Sequence, residues 1–229
     1  MEQNLKALII GIDSSIISDL MFTLHDLGYE IHGTSRRPMS KYKGKLTTYH
    51  LDVSSMESVN EVFALIALQK FDLIVSAIGI TSRKSLEQDT PSHIEYTLKV
   101  NLTSQLWMLP HVVNSLKENG VAIFMGSSAA EGESFDLTYS AAKAGLRAAI
   151  SGFSKTRNLG GKRIFVLEPS LIEESTMYKE MTATNILKHR RKWSGTLLKT
   201  SDISKAIIQL TTDKMQKETV QKIRPEGFK

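Results

Sequence analysis

Short apolar and β-branched runs alternate with longer amphipathic stretches along almost the whole chain. Residues 5–10, 29–34, 46–51, 72–78, 121–125 and 163–167 have the length and composition of strands. Between them, residues 16–27, 56–68 and 94–116 repeat apolar positions at helical spacing. This rhythm predicts an α/β fold, a doubly wound parallel sheet with helices on both faces. Thr90-Pro91 predicts a helix start, a capping hydroxyl followed by a proline where the amide needs no partner. From there Ile94, Leu98, Leu102, Leu106 and Leu109 trace one stripe expected to be buried, with Trp107 and Met108 off it. A helix over 203–210 and an edge strand over 219–223 are expected to close the chain.

Composition narrows the class. With 229 residues, 41% of them hydrophobic, the chain can fill one α/β core, and no repeat or linker divides it, so 1–229 reads as a single domain. No apolar run approaches the roughly 18 residues a membrane span needs. The N-terminal MEQNLKALIIGIDSS is too short in its apolar part for a signal peptide and reads as a first strand. Cysteine is absent, which removes disulfides and thiolate chemistry and suits a cytoplasmic location. The net charge of +5 is scattered, so neither nucleic acid nor membrane is an expected partner. Six dispersed histidines form no metal-ligand spacing, and no metal is expected.

The chemistry concentrates in FMGSSAAEGESFDLTYSAAKAG. Tyr139 and Lys143 are four residues apart in an alanine-rich segment, so a helix places phenol and ammonium on one face. A free tyrosine has a pKa of about 10, and a fixed neighbouring cation moves it towards a useful range. Ser128 follows the apolar run VAIF, where a strand should yield to a loop, and its hydroxyl can hold a substrate carbonyl beside the tyrosine. Ser127 competes for that role, and the separation from Ser128 to Tyr139 is eleven residues.

A serine followed by Tyr-x-x-x-Lys resembles the short-chain dehydrogenase/reductase family, and the likeness covers nearly the whole chain. GSS at 126–128 is similar to the family's strand-five serine, and YSAAK at 139–143 to its helix-five motif. Asn101 in LKVNLTSQL resembles the asparagine of helix four, which completes the set Asn101, Ser128, Tyr139 and Lys143. The resemblance implies a single Rossmann-like domain, with a substrate lid over about 170–198. It also implies that Lys143 bonds the nicotinamide ribose, that Asn101 holds a water linking Lys143 to solvent, and that helices four and five pair in a homodimer or homotetramer.

The first strand-to-helix turn departs from the family's Gly-x-x-x-Gly-x-Gly. GIDSSII keeps Gly11 but has Ser15 and Ile17 in the other places; Ser14, Ser15 and Ile16 are still expected to meet the cofactor at the helix N-terminus. Arg36 and Arg37 follow the second strand, with no Asp or Glu between His32 and Tyr49. An arginine there suits a 2′-phosphate, an acid the free ribose, so NADP(H) is the expected cofactor. By resemblance, Asp52 and Val53 border the adenine, Ala77 and Gly79 pass close to the cofactor, and Pro169 with Ile172 belongs to the loop over the nicotinamide, where Ser170 replaces a glycine. Glu174 holds the register of that loop's usual threonine, and Thr176 serves only if the loop runs longer. KHRRKW at 188–193 falls in the lid, either as a solvated face or as a clamp for an anionic handle.

Together these residues read as an NADP-dependent carbonyl reductase or alcohol dehydrogenase acting on a small molecule. Two other readings stay open: a silent dinucleotide-binding sensor or assembly protein, favoured by the altered glycine turn, and a nucleotide-sugar epimerase or dehydratase, which usually carries a larger C-terminal region.

Overall fold

The computed structural model describes residues 5–37, 46–82, 84–132 and 134–228. Its sheet runs β3 (Leu46–His50), β2 (Glu30–Ser35), β1 (Lys6–Ile10), β4 (Phe71–Ser76), β5 (Leu116–Met125), β6 (Arg163–Pro169), β7 (Val220–Arg224), β8 (Gly227–Phe228). The first seven are mutually parallel. β8 is antiparallel to β7, pairing Arg224 with Gly227 across the two residues Pro225 and Glu226. The last parallel strand is therefore not the edge expected from sequence, because the chain turns back on itself and covers it.

Alternation along the strands divides the core. Ala7, Ile9, Leu73, Val75, Ile123 and Leu167 face α1 (Ser18–Asp26) and α8 (Thr200–Thr212). Leu8, Ile10, Ile74, Ala122, Phe124 and Val166 face α2 (Met56–Leu65), α4 (Ser104–Ser115) and α5 (Leu137–Thr156). The period-two geometry of a strand sends neighbours to opposite faces, so strands buried on both sides read as continuous apolar runs.

α3 (Pro91–Leu98) starts as the sequence requires, with Thr90 accepting the amide of His93 and Pro91 in the first turn. It reaches α4 through a π-helical turn, Lys99–Thr103. A π turn inserts an extra residue and rotates the helix beyond it. The expected stripe is displaced accordingly: Thr97, Val100, Asn101, Ser104, Gln105, Met108 and Leu109 are buried, while Leu106 is 41% exposed. Met108 is fully covered within its own chain, so it calls for no partner.

Among the described residues no helix is long and apolar enough to cross a membrane, and none of their His, Asp and Glu side chains cluster as a metal site. Two short helices, α6 (Thr176–Lys179) and α7 (Ala183–Lys192), fill the segment between β6 and α8.

Candidate active site

Neighbours of β1 lie on its two sides, β2 on one and β4 on the other, so a crevice opens beyond its carboxyl end. Gly11 leaves β1 at φ +82°, a region costly for any residue with a Cβ. Its amide donates to the Thr34 main-chain oxygen at 3.2 Å, and the Ser14 amide closes the turn on Gly11 at 3.0 Å. Ser15 then begins a single 3₁₀ turn that leads into α1.

Around this turn lies a cleft of about 450 Å³. It brings together Gly11, Ser14, Ser15, Ile16, Arg36, Asp52, Val53, Ala77, Gly79, Tyr139 and Lys143. Arg37 is exposed and does not line it, although its amide donates to Ser35 Oγ at 3.0 Å. Pro169 and Ile172 line a neighbouring cavity instead. Cleft residues that sequence reasoning missed include Thr34, Tyr96, Ser175 and Met177; Thr176, named only conditionally, is also there. Glu174 instead accepts the Thr200 amide at 3.2 Å, ahead of α8.

The two departures from the glycine pattern have separate fates. Ile17 is fully buried in the core between β1 and α1, where it fills the space a glycine would leave and stays out of the cleft. Ser15 turns its hydroxyl to Thr176 Oγ1, 3.2 Å away, and accepts the Thr176 amide at 3.1 Å. At the far end Arg36 donates to the Tyr96 hydroxyl at 3.2 Å. Asp52 is desolvated, yet the hydroxyl and amide of Ser54 and the charge of Arg36 hold its carboxyl below the ordinary value.

Asp136 builds the other wall. It is buried and caps α5 by accepting the Tyr139 amide on Oδ1 at 2.9 Å. Its Oδ2 accepts the Thr81 hydroxyl at 2.7 Å and the Ser82 amide at 2.7 Å, which ties the loop after β4 to the helix start. Burial opposes its charge, but these donors outweigh that and keep its pKa low.

Tyr139 and Lys143 follow one turn apart, both buried. Burial pushes the phenol up to about 12; the Ser127 hydroxyl pulls it down and Asp136 pushes it up. Burial brings the Lys143 ammonium down to about 8, against the pull of Glu168. Its Nζ donates to the Met125 oxygen at 2.7 Å and the Ile78 oxygen at 3.3 Å, and lies 5.7 Å from the Tyr139 ring centroid. Burial is thus the largest influence on the phenol, which stands above the ordinary tyrosine value. Asn101 sits in the π turn, fully buried; Nδ2 donates to the Ile80 oxygen at 2.8 Å and Oδ1 accepts the Ile80 amide at 3.1 Å. Gly79 is pressed close by, where a Cβ would lie 3.1 Å from Asn101 Oδ1 and 3.4 Å from Lys143 Nζ.

Ser127 and Ser128 both line the neighbouring cavity with Tyr139, and Ser127 Oγ accepts the Ala129 amide at 3.1 Å. Ser128 opens the next 3₁₀ turn, Ser128–Glu131, and lines the neighbouring cavity. That cavity, about 230 Å³, shares Ile16, Thr81, Gly126, Tyr139, Ser175 and Met177 with the cleft. Ala129, Phe135, Leu171, Ile172 and Met181 give it an apolar lining, and Asn185 and His189 of α7 reach it from the segment between β6 and α8. Of the basic run, Arg190 is held by Glu173 and donates to the Gly195 oxygen at 2.9 Å.

A family model described as enoyl-(acyl carrier protein) reductase matches residues 21–226. The chain is 27% identical to a 3-oxoacyl-[acyl-carrier-protein] reductase of Buchnera aphidicola subsp. Schizaphis graminum, covering 96% of this chain and 95% of the relative. Two solved structures share the fold. One is a short-chain dehydrogenase from Leptospira borgpetersenii serovar Hardjo-bovis with bound NAD+, at TM-score 0.84 and 16% identity, covering 97% of this chain and 92% of the other. The second is an ElxO variant with NADPH bound, at TM-score 0.81 and 18% identity, covering 96% and 97%. With the parallel sheet, the Tyr139–Lys143 pair and a model match spanning nearly its whole length, this chain belongs to the short-chain dehydrogenase/reductase family.

Proposed function

We propose that the chain is an NADPH-dependent carbonyl reductase, running in reverse on the matching alcohol. The observation that carries this reading is Tyr139, buried one helical turn before Lys143 and lining both cavities. The cleft suits a nicotinamide dinucleotide: Gly11 keeps a left-handed backbone at the turn, and Ile17 points into the core rather than across the floor. Arg36 lines the cleft beyond β2 as a cation for a 2′-phosphate, Asp52 and Val53 flank the adenine end, and Lys143 serves the ribose.

Bound in this cleft, the dinucleotide supplies or accepts a hydride. The protein's share is proton and charge management. Tyr139, neutral with a pKa of about 12, holds the proton that a reduced carbonyl oxygen takes up. Ser127 donates a hydrogen bond to that oxygen as charge develops on it, the role the sequence assigned to Ser128. Asn101 fixes the loop at Ile80 through two hydrogen bonds and keeps the π turn beside Lys143. The apolar second cavity favours a substrate with a hydrocarbon portion, and the acyl-carrier relatives put a 3-oxoacyl thioester first among those to try.

Assembly belongs to the same proposal. Ala141, Ala148 and Gly152 leave one flank of α5 exposed and smooth, and exposed Leu106 lies on α4. This supports a homodimer or homotetramer, which light scattering tests against the 25.5 kDa chain mass.

The decisive experiment is titration with NADPH and NADH by fluorescence, then turnover of a carbonyl panel by the native chain and by Tyr139→Phe. Turnover in the native protein, lost in Tyr139→Phe with NADPH affinity kept, is the expected result. Retained turnover in that variant overturns the mechanism, and NADPH binding without turnover of any carbonyl favours a sensor.

A further inference from the structure

Beneath the Ser127 turn lies a group of charges that lines neither cavity. Arg224, the last residue of β7, is only 4% exposed. An arginine is rarely buried so far without partners, and this one has them in three segments. One guanidinium nitrogen, NH1, donates to the Glu168 main-chain oxygen at 2.6 Å and to that of Ile223 at 3.0 Å. The other, NH2, donates to Glu131 Oε2 at 3.0 Å. The Trp193 ring stands over the guanidinium, with its centroid 6.0 Å from the central carbon.

Each partner leads to a different wall of the site. Glu131 ends the 3₁₀ turn that begins next to Ser127. Glu168 precedes Pro169 and Ser170, which line the second cavity. Trp193 ends α7, whose Asn185 and His189 reach the same cavity. Glu168 is itself fully buried and accepts from Nε and NH2 of Arg147, at 2.7 and 2.6 Å, on the helix that carries Tyr139. It also packs against Gly126, where a Cβ would come within 2.7 Å of its Cγ. Glu131 is further paired with Lys222 and lies 3.8 Å from Arg147.

We propose that Arg224 is a positioning residue that locks the end of α7 to the turn Ser128–Glu131, so that seating the helix fixes the two serines that line the second cavity. Filling the end of β7 would need only an apolar side chain, and burying a charge there is costly. The planar fork has a property an apolar residue and a lysine both lack: it addresses several acceptors in fixed directions and offers a flat face to an indole. The inference rests on the reductase reading for its kinetic consequence, but the link between lid and serine turn can be read without turnover.

Trp107→Phe leaves Trp193 as the only indole of the chain. In that background Glu131→Gln and Arg224→Met are each expected to raise acrylamide quenching of Trp193 at least twofold, although Glu131 reaches the indole only through Arg224. With the reductase assay, Arg224→Met and Arg224→Lys are both expected to lower kcat ten- to a hundredfold while the NADPH dissociation constant stays within twofold. Unchanged quenching in both Glu131→Gln and Arg224→Met overturns the coupling. Full recovery of kcat and melting temperature in Arg224→Lys assigns Arg224 a merely structural role and overturns it equally. Should Arg224→Met not fold, Glu131→Gln and Arg224→Lys carry the test. Absence of turnover in the native chain counts against the reductase reading alone, because the quenching result stands apart from it.

Discussion

The Ser15 hydroxyl lies 3.2 Å from the Thr176 hydroxyl and accepts the Thr176 amide at 3.1 Å, joining the first strand-to-helix turn to the lid. The two residues are 161 positions apart in sequence. Family members with glycine at this place cannot make the contact. The serine hydroxyl is thus directed to Thr176 at the start of α6.

Removing that hydroxyl should loosen the lid and leave the core alone. Ser15→Gly removes the acceptor of the Thr176 amide, a hydrogen bond contributing about 1 kcal/mol. Hydrogen exchange at residues 175–179 is expected to rise about fivefold, with the melting temperature little changed. Unaltered exchange there would show that the lid is held by other contacts, such as the hydrogen bond from Ser175 Oγ to the Ile172 oxygen at 2.7 Å.

The two serines after β5 should separate cleanly by mutation. The Ser127 hydroxyl opposes the upward push of burial on the Tyr139 phenol, whereas Ser128 starts the adjoining 3₁₀ turn. Losing a donor to a developing oxyanion costs roughly 10²–10³ in kcat, so Ser127→Ala should fall that far. Ser128→Ala should keep its kcat within about tenfold of the native value. Equal losses in the two variants would disprove the assignment.

The alternation of strands and helices was readable because it depends on apolar period, a property of many residues together. The Tyr139–Lys143 pair was readable because four residues along a helix have one geometric meaning. The choice between Ser127 and Ser128 depends on the residue at which the chain leaves β5, and the two serines line the same cavity. The displaced stripe on α4 had no clue: LKVNLT looks like ordinary helix, and the π turn is fixed by the hydrogen bonds of Asn101 to the loop at Ile80. Arg36 and Arg37 are chemically alike, and only the direction in which the chain leaves β2 tells them apart.

Arg36 and Arg37 should therefore differ in effect. Both are exposed, but Arg36 lines the cleft with Asp52 and Tyr96 whereas Arg37 does not. A charge-assisted bond to a phosphate contributes about 1.5–3 kcal/mol, and solvent screening favours the lower end, roughly tenfold. Arg36→Ala should weaken NADPH about tenfold and leave NADH nearly unchanged, whereas Arg37→Ala should alter neither by more than about twofold. Fluorescence titration of the native chain comes first, and equal affinities for NADPH and NADH there would refute the selectivity.

The depressed Lys143 gives cofactor binding a pH dependence of definite sign. With its pKa brought down to about 8 by burial, the side chain is an ammonium below that pH and a neutral amine above it. Only the charged form attracts the anionic dinucleotide and donates in all three directions, two of which already serve Met125 and Ile78. The dissociation constant should be flat from pH 7 to about 8 and then rise, by at most tenfold per pH unit, as the proton is lost. Tyr139, pushed up to about 12, stays protonated over this range and contributes no second limb. Lys143→Met should bind weakly at every pH and show no such rise. An affinity that holds constant or strengthens between pH 7 and 9.5 in the native chain would mean that Lys143 keeps its proton or does not serve the cofactor.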